Sequence, residues 1–289
     1  MEKVRIIIWG INEKTDSVLD SLQNSHEVRI VMIAGQANYS NIIGIPIEDK
    51  SLDECFEICD YIIYCKEIED ENSCEEKLIN ADSIINNVKF DLLKYIELKK
   101  RNISIVSSSN WGKRVYQSLY LKNNSPFCDI TIDSVSYIKM LQSFEKYMNM
   151  DLMYVCDSTI DSYVTGKLGD INIQFTREET FEAAKYKWNA NKELFNWDNY
   201  LFEMDNFDNI EQLKMFLGIP KKEKVAFYHA FEDLLESNKS VVKLTPWTNN
   251  KIRKDYRWFD MYVEKTAFRD YLGIKPYDII NLLLGEENE

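Results

Sequence analysis

Glycine, proline and histidine are scarce in this chain of 289 residues: Gly 9, Pro 5 and His 2. So few Gly and Pro exclude a collagenous or proline-rich segment. No G-x-G-x-x-G occurs, so the tight phosphate turn of a bound NAD or FAD is lacking and no cofactor is expected. G-x-S-x-G, the P-loop and H-E-x-x-H are absent as well, which removes the commonest hydrolase, nucleotide-triphosphatase and zinc-protease signatures. Long hydrophobic runs are missing too: no stretch approaches the ~18 to 20 apolar residues of a membrane helix. The start, MEKVRIIIWG, has no n-region, no long h-region and no cleavage site, so a cytoplasmic protein without a membrane span is expected.

Positive charge is in deficit. Lys+Arg 35 against Asp+Glu 48 gives a net charge of −13, which repels polyanions, so no nucleic-acid partner is expected. The six cysteines, at 55, 59, 65, 74, 128 and 156, match no zinc spacing and have no histidine beside them. They read as small buried hydrophobes, and no metal site is expected. A chain of 289 residues exceeds the usual size of one domain. Two are expected, 1–100 and 101–289.

Hydrophobic periodicity gives the fold class. VRIIIW (4–9) is a continuous apolar run ending at Gly10, and Val18, Leu19 and Leu22 then recur at helical spacing. Val28 to Ala34, IIGIPI and YIIYC (61–65) read as further strands, with capping boxes at Ser51–Glu54 and Ser73–Glu76 opening helices. Phe90, Leu93, Tyr95 and Ile96 carry another helix towards Arg101. This alternation predicts an α/β fold with a Rossmann-like parallel sheet in the first domain. In the second, strands are predicted at ISIV (103–106), CDITI (128–132), 152–155, 171–175, 200–202, KVAFYH (224–229) and SVVKL. Helices are predicted over Tyr137 to Met148, after a capping box at Thr176–Glu179, around 209–217 and after Pro276. A second α/β domain fits this order.

The candidate site follows ISIV, in SSSNWGKRVYQSL. A loop between a parallel strand and a helix lies at the carboxyl edge of the sheet, where amide N–H groups and the positive end of the helix favour anions. Ser108, Ser109 and Asn110 add donors and acceptors, Gly112 allows an unusual backbone angle, and Lys113 and Arg114 set two cations at the same edge. Two readings stand side by side: a phosphate or carboxylate site, or a capped helix start with Trp111 packed under the loop. In the first domain, Gly10 and Asn12 occupy the corresponding turn, which is either a plain strand-to-helix connection or the second candidate contact. KNNSPF (122–127) has turn chemistry.

His229 closes a strand at its carboxyl end; it is either a structural or solvated histidine or the candidate acid or base. Glu203-Met-Asp205 follows an apolar strand; such an acidic pair either holds a divalent metal or sits in a solvated loop. Residues 243–269 carry seven Lys or Arg against three Asp or Glu, interleaved with Trp247, Tyr256, Trp258 and Phe259. The stretch is either part of the core or a binding patch, in which Arg253 and Arg257 are the candidate contacts to a diphosphate.

SSSNWGKRVYQSLYLKNNSPF, SYIKMLQSFEKYM, GKLGDINIQF, TFEAAKYKW and WDNYLF, in this order, resemble the bacterial family catalogued as domain of unknown function 1919. The resemblance covers about 101–235. Members are often labelled exopolysaccharide or capsule biosynthesis proteins, which implies a role in surface glycans. The first hundred residues are similar to the Rossmann-like module found ahead of sugar-modifying enzymes. The family's Asn-Cys-Trp-Gly-Gly stands here as Ser109-Asn110-Trp111-Gly112-Lys113, its His-Tyr pair as Arg177-Glu178, and its two arginines as Asn191 and Leu194. Chemistry resting on those family side chains does not carry over.

The expected function is therefore binding of a sugar nucleotide or other phosphorylated sugar precursor in glycan assembly, with transfer as the reaction class. The alternative is a non-catalytic scaffold or regulator of glycan-assembly enzymes. A second copy of the chain or those enzymes are the expected protein partners.

Overall fold

The computed structural model describes residues 3–22, 25–35, 37, 40–66, 68, 75–85, 90–157, 163–205, 207–221, 223–229, 241–244 and 278–285. Two units emerge, an amino-terminal one from Met1–Lys100 with Ser118–Tyr120, and a carboxy-terminal one holding Arg101–Gln117 and the described residues from Leu121 onward.

The amino-terminal unit is built on a mostly parallel six-stranded sheet. Its strands are β1 (Val4–Trp9), β2 (Val28–Ala34), β3 (Asn41–Ile42), β4 (Ile45–Glu48), β5 (Tyr61–Tyr64) and β6 (Leu78–Asn80), in the order β3-β4-β2-β1-β5-β6. Only β3, hairpinned onto β4, runs antiparallel. β1 lies centrally, and Ile6, Ile7 and Ile8 are wholly buried, as a strand covered on both faces requires. Each such isoleucine contributes on the order of 1.5–3 kcal/mol of burial. Helices α1 (Glu13–Leu22), α2 (Leu52–Ile58), α3 (Ala81–Ile85) and α4 (Leu92–Arg101) complete the unit. The capping box at Ser51 forms as the spacing predicts, with Ser51 and Glu54 each bonding the other's backbone N–H. The helix predicted after Ser73 does not: 71–74 lie outside the described residues, Glu75–Lys77 is a single 3₁₀ turn, and Leu78–Asn80 is a strand. Leu78 and Ile79 pair with Ile62 and Ile63, and this tertiary pairing outweighs a helix signal only one turn long.

The carboxy-terminal unit holds two four-stranded sheets. β7 (Ser104–Ser107), β12 (Tyr200–Met204), β13 (Lys224–His229) and β14 (Val241–Leu244) are parallel, in the order β14-β13-β12-β7. β8 (Ile130–Thr131), β9 (Met153–Cys156), β10 (Val164–Leu168) and β11 (Ile171–Phe175) are antiparallel, in the order β8-β11-β10-β9. The sequence shows the difference. β7 is buried at every position, whereas β11 alternates, with Ile171, Ile173 and Phe175 inside and Asn172 and Gln174 outside. Helices α5 (Trp111–Ser118), α6 (Ser134–Gln142), α7 (Phe144–Met148), α8 (Phe181–Glu193), α9 (Ile210–Leu217) and α10 (Ile279–Leu284) pack around them. One core joins both sheets: Val106 and Phe202 from the parallel sheet, Val164 and Ile173 from the antiparallel one, with Tyr137, Trp188 and Phe216 from the helices.

Three sequence expectations change here. The single helix over 137–148 is two, because Ser143 takes φ −136°, ψ 44° between α6 and α7. The cap of α8 is Thr180, which accepts from Ala183 N–H, while Thr176 instead donates to the Asp129 carbonyl. β10 was not expected, and its middle residue is Gly166. An added Cβ there would lie 2.8 Å from Leu152 Cδ1, so glycine is what lets the leucine pack onto the strand. No helix among the described residues is long and apolar enough to cross a membrane.

Candidate functional site

β7 delivers the Ser107–Asn110 loop to the carboxyl edge of the parallel sheet, where β12, its hydrogen-bonded neighbour, delivers Glu203 and Asp205. Period two along a strand sets those acids on one side. Ser109 Oγ donates to Asp205 Oδ2 at 2.9 Å, and Ser108 Oγ lies 3.5 Å from Asp205 Oδ1. Ser107 Oγ is 2.5 Å from Glu203 Oε2 and 2.9 Å from the Ser109 carbonyl. Ser107, Ser108 and Ser109 are buried, Asn110 and Asp205 half-buried.

Ser107 Oγ donates to Glu203 Oε2, and the Ser109 carbonyl is a second acceptor within reach of the same hydroxyl proton. Burial, reinforced by the charge of Asp205 and opposed by the Ser107 hydrogen bond, pushes the Glu203 carboxyl well above its usual range. Glu203 is wholly buried, and its Oε1 has no hydrogen-bond partner among the described residues; nor has Asn110 Oδ1. Glu203 is therefore not in a solvated loop, whereas Asp205 lies just past the end of β12 and is half-buried.

The helix start is packed from below. Trp111 is fully buried against Phe227, ring centroids 5.3 Å apart. Its N–H points to Ser109 Oγ at 3.4 Å, and Arg114 N–H closes the first turn onto the Asn110 carbonyl. Gly112 is needed for space and not for an unusual backbone angle: an added Cβ would sit 2.9 Å from Ile105 Cγ2. The KNNSPF turn pins β7. Asn124 accepts from the Tyr116 hydroxyl and donates to the Asn102 carbonyl, and Ser125 Oγ donates to the Ile105 carbonyl.

Lys113 is directed onto Asp129, its Nζ 2.5 Å from Oδ1. Lys187 Nζ lies 2.9 Å from Asp129 Oδ2 and 2.7 Å from Glu178 Oε1, and Arg177 Nε approaches Asp129 at 3.7 Å. Burial raises the Asp129 carboxyl, but the hydrogen bonds and charges of Lys113 and Lys187 outweigh it and hold the group below its usual range. Asp129, at φ 61°, and Lys187 carry no local motif, so sequence reasoning passed over them. Tyr137, whose hydroxyl donates to the carbonyls of Val106 and Glu203, looked like one more apolar helix position.

In the amino-terminal unit, Gly10 takes φ 95° at the end of β1, and its N–H bonds the Ala34 carbonyl. Asn12 Oδ1 accepts from Lys14 N–H, and its Nδ2 donates to the Cys65 carbonyl, so Asn12 ties the ends of β1 and β5 together. His229 closes β13 beside Leu244, and its side chain lies outside the described residues. So do Arg253, Arg257 and the stretch 243–269 beyond Leu244. Cys55, Cys59, Cys65, Cys128 and Cys156 are free thiols, and no group of three His, Cys, Asp or Glu among the described residues is placed to hold a metal.

A curated relative, an uncharacterized protein of Haemophilus influenzae (strain ATCC 51907 / DSM 11121 / KW20 / Rd), is 27% identical over 135 residues, 46% of this chain. The chain spans 65% of that relative's length. A family model matches residues 80–272, a longer span than the motif blocks suggest and one that takes in the serine loop, both acids of β12 and the Asp129 network. The chain belongs to the family described as Domain of unknown function (DUF1919).

Proposed function

We propose that the protein binds a sugar nucleotide or another phosphorylated sugar precursor at the carboxyl edge of the sheet β14-β13-β12-β7. Its place is bacterial surface-polysaccharide assembly in the cytoplasm, with glycosyl or sugar-phosphate transfer as the reaction class. One observation carries this reading: two adjacent parallel strands end in a cluster of serine hydroxyls and carboxyl groups, Ser107–Asn110 against Glu203 and Asp205. Ligands of open α/β sheets meet the protein at such strand ends, and hydroxyl and carboxylate groups are the usual partners of sugars. The amino-terminal unit we read as Rossmann-like, because β1 lies between β2 on one side and β5 on the other, with Gly10 and Asn12 at the reversal of strand order.

A second reading, a non-catalytic partner of glycan-assembly enzymes, is favoured by Arg177 and Glu178. Both face the Asp129–Lys187 ion pairs, so these positions serve packing of the unit.

A thermal-shift screen with UDP-, GDP-, CMP- and dTDP-sugars separates the two. A ligand at about 100 times its dissociation constant adds ~2.7 kcal/mol of stability. A rise in melting temperature with one of them supports the first reading, and no rise with any of them supports the second.

A further inference from the structure

We propose that Lys113, Lys187 and Arg177, gathered around Asp129, form the subsite for the ligand's phosphate; this rests on the sugar-nucleotide reading above. The three cations come from three places in the chain: Lys113 from the first turn of α5, Arg177 from the loop between β11 and α8, and Lys187 from α8 itself. One carboxylate brings them together. Asp129 Oδ1 meets Lys113 Nζ at 2.5 Å and Arg177 Nε at 3.7 Å, and its Oδ2 meets Lys187 Nζ at 2.9 Å. Glu178 adds a second acid, 2.7 Å from Lys187. Three positive groups against two negative ones leave the cluster one charge positive, in a chain whose net charge is −13.

The order of exposure sets which sign an incoming ligand meets. The Asp129 side chain is 6% exposed, Lys113 24%, Lys187 37% and Arg177 71%, so the acid lies beneath the cations and the guanidinium faces solvent. Donors are left over as well as charge. An ammonium has three N–H groups and a guanidinium five, yet Lys113 Nζ reaches only Asp129 among the described residues, and the Arg177 contact is too long for a hydrogen bond. A phosphate takes up such donors in charge-assisted hydrogen bonds, two of them side by side from arginine. Asp129 is the positioning residue. The cluster also belongs to the edge formed by the serine loop, since Lys113 follows that loop directly and Ile132 N–H, three residues after Asp129, bonds the Ser108 carbonyl at 3.3 Å. One acceptor within it is incomplete: Glu178 Oε2, on a side chain 10% exposed, has no hydrogen-bond partner among the described residues. A bare anion does not supply that donor, whereas a phosphate ester of a sugar carries hydroxyls beside its charge.

Calorimetric titration of the full chain tests this, with UDP-glucose, GDP-mannose and dTDP-glucose, each beside its free nucleoside diphosphate. Arg177→Glu reverses a charge on an exposed side chain and is expected to weaken sugar nucleotide and diphosphate alike, about tenfold or more. Lys113→Met, which removes the charge next to the helix start, should act in the same direction; if it fails to fold, Arg177→Ala takes its place. Lys139→Glu makes the same change of charge as Arg177→Glu in an exposed pair on α6, with Asp170, and should leave both affinities as they are. Binding of both ligands that is indifferent to Arg177→Glu and Arg177→Ala overturns the subsite and leaves the ligand reading standing. A loss confined to the sugar nucleotide overturns it too, because the side chains would then touch the sugar, as does an equal loss in Lys139→Glu, which would reduce the effect to net charge. No binding of any sugar nucleotide removes both proposals.

Discussion

Ser107 Oγ lies 2.5 Å from Glu203 Oε2, and neither side chain has any exposure to solvent. The Ser107 hydroxyl donates to this buried carboxyl, so Glu203 ties the ends of β7 and β12 together, while Asp205, two residues on, is half-buried and accepts from Ser109.

The first prediction follows from the Glu203 proton. Burial, with the charge of Asp205 behind it, raises this carboxyl in the folded state, so the native protein holds a proton that the unfolded chain releases above about pH 4.3. Its contribution to stability is complete below the unfolded value and is lost as pH rises through the folded one. Glu203→Gln removes that dependence. Relative to the parent, the variant should gain stability steadily as pH rises from about 5 through the raised folded-state value, read as urea midpoints. Curves that stay parallel across this range would show that the acid carries no excess proton.

Asp129 predicts the opposite slope. Its carboxyl is held low by Lys113 and Lys187, so its contribution is present above the unfolded value and is lost as pH falls through the folded one. Asp129→Asn should cost about 1–3 kcal/mol near neutrality, less than a fully buried pair because both lysines keep partial exposure. The gap should close in acid. Asn is the variant of choice because it tolerates the left-handed backbone at φ 61°. An undiminished gap in acid would mean that the amide disturbs packing and that the ion pairs contribute little.

Strands with a continuous or alternating apolar pattern, such as Ile6-Ile7-Ile8 and Ile171–Phe175, were legible because burial dictates their composition directly. The Ser108–Lys113 segment was legible as a strand-to-helix junction by its small polar residues. What it does there was not legible. The partner of Lys113 is Asp129, sixteen positions on, and the partner of Ser107 is Glu203, ninety-six on. No local period encodes such pairs. β10 was hidden for a related reason: Gly166 is explained only by Leu152 lying across it.

Gly112 offers a test of the close approach between α5 and β7. Alanine there places a methyl carbon 2.9 Å from Ile105 Cγ2, a β-branched side chain that is fully buried and cannot swing away. Although alanine is the better helix former, the clash should win, with a loss of about 1–3 kcal/mol in urea unfolding. A variant as stable as the parent would show that helix and strand can part without cost.

Tyr137 gives the last prediction. Its hydroxyl is shared between the Val106 carbonyl of β7 at 2.8 Å and the Glu203 carbonyl of β12 at 2.7 Å, while its ring is buried in the core that joins both sheets. One side chain from α6 thus braces the two strands whose ends form the candidate site. Tyr137→Phe keeps the ring and removes only the oxygen. Two buried carbonyls lose a donor, so about 1–3 kcal/mol should be lost with little change in the denaturant slope, since the surface exposed on unfolding stays the same. A stability change within about 0.5 kcal/mol, the range of an ordinary surface substitution, would mean that other contacts hold β7 and β12 in place.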